Sequence, residues 1–125
     1  MKRKTIIDKL DRLIGSIVRD LGECEHCHQS LPPEALCPHH FYTRGNLALR
    51  WSLTNLFCLC DQCHTKDSEF SAHLTPEKFK TWAIQSRGIE WYNKLRDQER
   101  ISSHWTNDQL EDLYKKIKNY YGRLQ

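Results

Sequence analysis

Two short motifs, Cys24-Glu-His-Cys27 and Cys60-Asp-Gln-Cys63, constrain this chain more than anything else in it. Each C-x2-C turn aims two thiolates at one point. Two such turns complete the tetrahedral four-sulfur set that zinc prefers in structural sites. A metal held there closes residues 28–59 into a loop, lowers the entropy of the unfolded chain and couples folding to the metal. The spacing therefore predicts a structural Zn²⁺ on Cys24, Cys27, Cys60 and Cys63. A chain of 125 residues, 38% hydrophobic and 28% charged, has a modest core and gains from such a constraint. In a secreted chain six cysteines would suggest disulfides, whereas close pairs in a reducing cytosol more often bind metal. Cys37 and Cys58 lack a C-x2-C partner and read as a small apolar filler and a buried strand residue. They leave open an exchanged ligand set using Cys58, and a four-cysteine redox or zinc-sensing switch.

No apolar run approaches the roughly 20 residues that cross a bilayer. The start, Met1-Lys2-Arg3-Lys4, is basic and continues amphipathic, unlike a signal peptide, so a cytoplasmic protein with no membrane partner is expected. The length suits a single domain, 1–125, divided into an N-terminal helix (1–22), a metal-rich core (23–73) and C-terminal helices (74–125). A net charge of +3 is compatible with a nucleic-acid partner without establishing one.

Ile6, Leu10, Leu13, Ile14, Ile17 and Leu21 recur at helical steps and predict an amphipathic helix over roughly 4–20, closed by Gly22. Its apolar stripe packs on the core or, alternatively, forms a dimer face, so the chain is a monomer or a homodimer. Prolines 32, 33 and 38 and Gly45 exclude long regular structure from the core, with short strands near 36–42 and 56–59 and a helix over roughly 62–73. Thr75-Pro76-Glu77 opens another helix that ends before Gly88, and a short one covers about 90–98. Thr106-Asn-Asp-Gln109 is a capping box for a last helix that buries Leu110, Leu113, Tyr114 and Ile117 and stops at Gly122. The expected class is a small α+β fold, with helices at both ends of a compact centre. Trp51, Trp82, Trp91, Trp105, Tyr114 and Tyr120 read as packing residues, and His26 and His28 as exposed turn residues, with a mixed cysteine–histidine site using one of the two as the alternative.

With four cysteines assigned to zinc, His39, His40 and His64 remain around the knot. Adjacent strand residues point to opposite faces, so one of the doublet can face a metal while the other faces a substrate. Over residues 24–70 the ordered set of Cys24 and Cys27, His39-His40, Asn55, Cys60 and Cys63, His64 and Lys66 resembles the HNH endonucleases with a ββα-metal core. The run His40-Phe-Tyr-Thr-Arg44-Gly-Asn, with Arg50-Trp51 and Asn55, is also similar to the NinG-type phage recombination nucleases.

The resemblance implies roles. His40 corresponds to the general base that activates water, and His39 to a metal-ligand position often held by an acid. Asn55 corresponds to the asparagine that braces the loop or sometimes binds metal. His64 corresponds to the last histidine, a ligand of the catalytic ion. It implies a metal-dependent endonuclease acting on duplex or branched DNA in a bacterial or phage-infected cytosol; no recognition helix can be singled out in the sequence, so little sequence specificity is expected. A neutral imidazole suits proton abstraction near neutral pH. A divalent ion on His39 and His64 (Mg²⁺, Mn²⁺, Ni²⁺ or Zn²⁺) would polarise the phosphate, and imidazole ligands suit the later metals better than Mg²⁺.

Arg44 is expected at the scissile phosphate or its neighbour, with a salt bridge as the plainer reading. Arg50 and Lys66 are divided evenly between the two. Lys115, Lys116, Lys118 and Arg123 on the last helix can track a DNA backbone or form a solvated face. The alternative to an enzyme is a non-catalytic, zinc-stabilised nucleic-acid-binding module, which shares the cysteines but gives the histidines no joint role.

Overall fold

Strands β1 (Leu36–His40) and β2 (Leu56–Cys60) form a two-stranded antiparallel sheet in which His39 pairs with Phe57 and His40 with Leu56. The structure is a computed structural model that describes residues 2–124, with side chains described through Gly122. Around the sheet lie α1 (Arg3–Arg19), α2 (Pro76–Arg87), α3 (Ile89–Glu99) and α4 (Asn107–Leu124), giving a small α+β fold.

The period-two alternation of β2 divides the core. Leu56 joins Ile6, Leu10, Ile14, Trp51 and Leu110 under α1 and α4. Phe57 and Leu59 join Cys24, Cys63, Phe79 and Ala83 on the other face, under α2. Both faces are covered, which is why all five residues of β2 are buried. The stripe of α1 packs inside the chain, with Ile6, Leu10 and Ile14 at most 3% exposed, so the core-packing reading of this helix holds.

A strand with a proline needs a position where no N–H is required. Pro38 faces Cys58, whose own N–H and carbonyl turn away from β1 to the Glu25 carboxylate (2.6 Å) and the Glu25 N–H (2.9 Å). The pair is therefore one that exchanges no ladder hydrogen bonds, and Pro38 costs the sheet nothing there. Farther along the same edge of β2, Arg87 donates to the Leu56 carbonyl at 2.6 Å while pairing with Glu25 at 3.0 Å. Its guanidinium lies 3.6 Å over the Phe57 ring.

Several local expectations are corrected. The helix expected over 62–73 is a single wide turn, Gln62–Lys66. Asp67 ends it by accepting the Glu69 and Phe70 N–H groups on Oδ1, an Asx turn that competes with helix. Thr75 does not cap α2. Its hydroxyl donates to the Ser71 carbonyl and accepts the Ser71 N–H. The Thr106–Gln109 capping box forms reciprocally, at 2.9 and 3.1 Å. However, α4 runs through Gly122 to Leu124, and Gly122 does not take the positive φ of a helix-ending glycine. Tyr120 is 54% exposed rather than packed. The Arg123 side chain lies outside the described residues.

Candidate functional site

Two clusters of metal-capable side chains occur among the described residues. The first is Cys24, Cys27, Cys60 and Cys63, whose sulfurs all lie within 4.8 Å of one another and can hold a metal ion. The first knuckle closes through His28 N–H to the Cys24 carbonyl (2.9 Å) and Cys24 N–H to the Gln29 carbonyl (3.0 Å). His28 takes the left-handed conformation this requires, at φ 63°. In the second knuckle the Cys63 N–H points at Cys60 Sγ (3.4 Å). Cys27 and Cys60 sulfurs are 3.8 Å apart. Burial and the charge and bonds of neighbouring thiols push the Cys63 thiol far up, and burial first pushes Cys27 up as well. Cys24 is lowered: burial opposes this, but backbone N–H groups of Cys27, Cys60 and His26 outweigh it. A cation among the four sulfurs would favour the thiolate form of each.

His26, expected on the surface, is half-buried instead. Its ring stacks on Phe70 at 3.5 Å between centroids, and Nδ1 lies 3.4 Å from Cys63 Sγ. Cys58 is buried in β2, and burial followed by the charge of Glu25 pushes its thiol up to about 12. A thiol held protonated in this way is a packing group. Cys37 is half-buried on β1.

The second cluster is His39, His64 and His73, each offering a ring nitrogen within 4.8 Å of the others. His39 comes from β1 and His64 from the turn after the second knuckle. His73 arrives because the chain doubles back: the His73 N–H bonds the His64 carbonyl (3.0 Å) and the Ala72 N–H the Cys63 carbonyl (2.9 Å). The knot therefore fixes the position of both late histidines. Burial first, then the charges of His64, His73 and His40, lowers the His39 pKa to about 3, and burial lowers that of His64. Both imidazoles are thus held neutral, the form that binds metal. His73 is exposed, so the cluster is open to solvent. Sequence reasoning brought His39 and His64 together and missed His73.

His40 lies on the opposite face of β1. Its Nε2 is 3.0 Å from the Arg50 carbonyl. A carbonyl only accepts, so Nε2 carries the proton and the lone pair is left on Nδ1. Burial first, with the Arg44 charge, lowers the His40 pKa against the Arg50 carbonyl, so the ring is neutral at neutral pH. His40 also forms a wall shared by two clefts. One, of about 430 Å³, contains His39, Thr43, His73 and Lys80. The other, of about 250 Å³, contains Asp11, Arg19, Arg44 and Arg50.

Asn55 is fully buried and touches neither cleft. Its Oδ1 accepts the Tyr42 N–H (2.8 Å), and its Nδ2 donates to the Tyr42 and Leu49 carbonyls (3.0 and 3.2 Å). It ties Tyr42 and Leu49, in the loop between the strands, to the start of β2. Arg44 and Arg50 both pair with Asp11 (2.8 and 2.7 Å), and Trp51 Nε1 donates to the same carboxylate (2.8 Å). Lys66 pairs with Asp61 on the surface (2.6 Å). Among the described residues, no helix is long and apolar enough to cross a membrane. No protein-family model matches the chain, and no curated protein or solved structure matches it either.

Proposed function

We propose that the protein is a metal-dependent endonuclease of the HNH kind that hydrolyses DNA phosphodiester bonds with little sequence specificity. The observation that carries this reading is a three-histidine cluster one residue along β1 from a neutral histidine whose Nε2 is held by a carbonyl. A non-catalytic nucleic-acid-binding module would use the cysteines and the arginines but leave that cluster without a role.

In this reading the four cysteines hold Zn²⁺ as a structural ion. Zn–S bonds of about 2.3 Å place tetrahedral sulfurs about 3.8 Å apart, which matches the Cys27–Cys60 separation of 3.8 Å. His39, His64 and His73 hold a second divalent ion, which when bound polarises the phosphate and offsets charge on the departing oxygen. Three imidazoles suit Zn²⁺, Ni²⁺, Co²⁺ or Mn²⁺ better than Mg²⁺. His40 takes the proton from the attacking water on Nδ1, because its tautomer leaves that nitrogen as the base. The Arg50 carbonyl orients the ring and stabilises the imidazolium as it forms. Asn55 keeps the loop carrying Arg50 at the distance this bond requires.

Supercoiled plasmid DNA and a four-way junction, incubated with EDTA, Mg²⁺, Mn²⁺ or Ni²⁺, test the reading. Metal-dependent cutting of either substrate is expected. A folded, zinc-loaded protein that cuts neither substrate with any ion overturns it.

A further inference from the structure

We propose that the cleft between α1 and β1 is a second phosphate site, which binds a backbone phosphate of the nucleic-acid strand beside the one that is cut. Only the words "that is cut" rest on the nuclease reading. The cleft itself does not.

Charge is the first argument. Arg19, Arg44 and Arg50 line the cleft against a single carboxylate, Asp11. The balance favours an anion.

The donors are the second. The oxygens of Asp11 accept Nε and Nη2 of Arg50 (3.1 and 2.7 Å), Nη2 of Arg44 (2.8 Å) and Nε1 of Trp51. This fixes two guanidiniums side by side without consuming them, since each has five N–H groups. Arg44 gives one donor to Asp11, and its side chain is 59% exposed. Arg19 gives Nε to the Leu36 carbonyl at 3.3 Å. The remaining forks can meet phosphate oxygens in pairs.

Gly15 is the third. A glycine inside a helix costs about 1 kcal/mol relative to alanine. Gly15 nevertheless sits buried in α1 and lines the cleft. A Cβ there would lie 2.9 Å from Arg19 Nη1. The missing side chain leaves the space in which the Arg19 guanidinium lies.

Location and size set the ligand. The cleft holds about 250 Å³, below the ~300 Å³ at which pockets begin to enclose drug-sized molecules. It suits a phosphate and its ester links. Its wall at His40 is also the wall of the cleft holding His39 and His73. A strand crossing His40 therefore places neighbouring phosphates in the two clefts.

The test is binding of a fluorescent DNA duplex to the zinc-loaded protein, with no second divalent ion added, across a KCl series, read by anisotropy, for wild type, Arg19→Gln and Gly15→Ala. Loss of one phosphate contact flattens the slope of log K against log [KCl] by about 1. That flattening is expected for Arg19→Gln. Gly15→Ala is expected to raise the melting temperature while weakening binding, which separates the site from the fold. Slopes and affinities equal to wild type in both variants overturn the proposal, as does displacement of the duplex by low concentrations of inorganic phosphate at matched ionic strength. A wild type that binds with the steeper slope but cuts nothing removes the nuclease reading and leaves this site standing. A wild type that cuts, with both variants binding unchanged, removes this site alone. A wild type that binds no duplex removes both.

Discussion

His39 and His40 are neighbours in β1 and face opposite sides of the sheet. The His39 ring meets His64, His73 and Phe79 at 5.2, 5.5 and 5.0 Å between centroids. The His40 ring turns toward α1 and bonds the Arg50 carbonyl. Strand alternation alone puts the imidazole of the three-histidine cluster and the carbonyl-bonded imidazole on opposite faces while keeping them one residue apart.

His73 distinguishes this arrangement from a two-histidine site. Replacing it with alanine should weaken binding of Mn²⁺ or Ni²⁺ to the zinc-loaded protein by more than about tenfold, since even outer-shell losses cost that much. Because His73 is exposed, the thermal melt should stay close to wild type. Isothermal titration reads the first and a melting curve the second. An unchanged affinity would remove His73 from the cluster.

Zinc should be inseparable from folding. One tightly bound zinc per chain is expected under reducing conditions. Structural zinc supplies about 10–16 kcal/mol of apparent binding energy in small domains, as large as the whole stability of an ordinary domain. Cys60→Ser or prolonged chelation should therefore abolish cooperative unfolding. Cys58→Ser and Cys37→Ser should keep the metal. Loss of zinc from Cys58→Ser, measured by elemental analysis, would show that the ligand set is misassigned.

Removing the Asn55 amide leaves the Tyr42 N–H and the Tyr42 and Leu49 carbonyls without their partner. Asn55→Ala should cost about 2–4 kcal/mol, seen as a lower urea midpoint. A loss under about 0.5 kcal/mol, the range of ordinary surface changes, would mean that the loop is held by something else.

Asp11 gives a pH signature. Burial alone raises its pKa, but hydrogen bonds from Arg50 and Trp51 and the charges of Arg50 and Arg44 outweigh it and hold the carboxyl below the usual carboxylate range. A carboxyl depressed on folding contributes stability above its unfolded pKa and loses it as pH falls through the folded value. Asp11→Asn should therefore be less stable than wild type at neutral pH, and the gap should close below about pH 4. A gap that stays constant from pH 7 to pH 3 would contradict this account of the carboxylate. Acid also protonates the zinc thiolates, so the two proteins are compared at pH values where elemental analysis shows both still zinc-loaded.

The cysteine knot and the histidine doublet were legible because a two-residue spacer and strand alternation are local geometry. So were α1 and the capping box of α4. His73 was not, because it reaches His64 through a chain reversal set by the Asp67 Asx turn and the hydrogen bond back to the His64 carbonyl. Neither follows a hydrophobic period. The turn had a signal in Asp67-Ser68, which also warned against a helix through His73. Asp11 and Arg19 read as the wet side of an amphipathic helix. Only the tertiary approach of the 41–55 loop to α1 brings Arg44 and Arg50 to that side, across more than thirty positions of sequence.

Cleavage by wild type and by His40→Ala, with Mn²⁺ or Ni²⁺ raised to saturation, tests the role of His40. The variant is expected to keep its zinc, its fold and its affinity for the second ion. It should lose about 10²–10⁴-fold in rate, with no recovery at any metal concentration. A variant that cuts at the wild-type rate, or recovers it when metal is added, would contradict the assignment of His40 as the base.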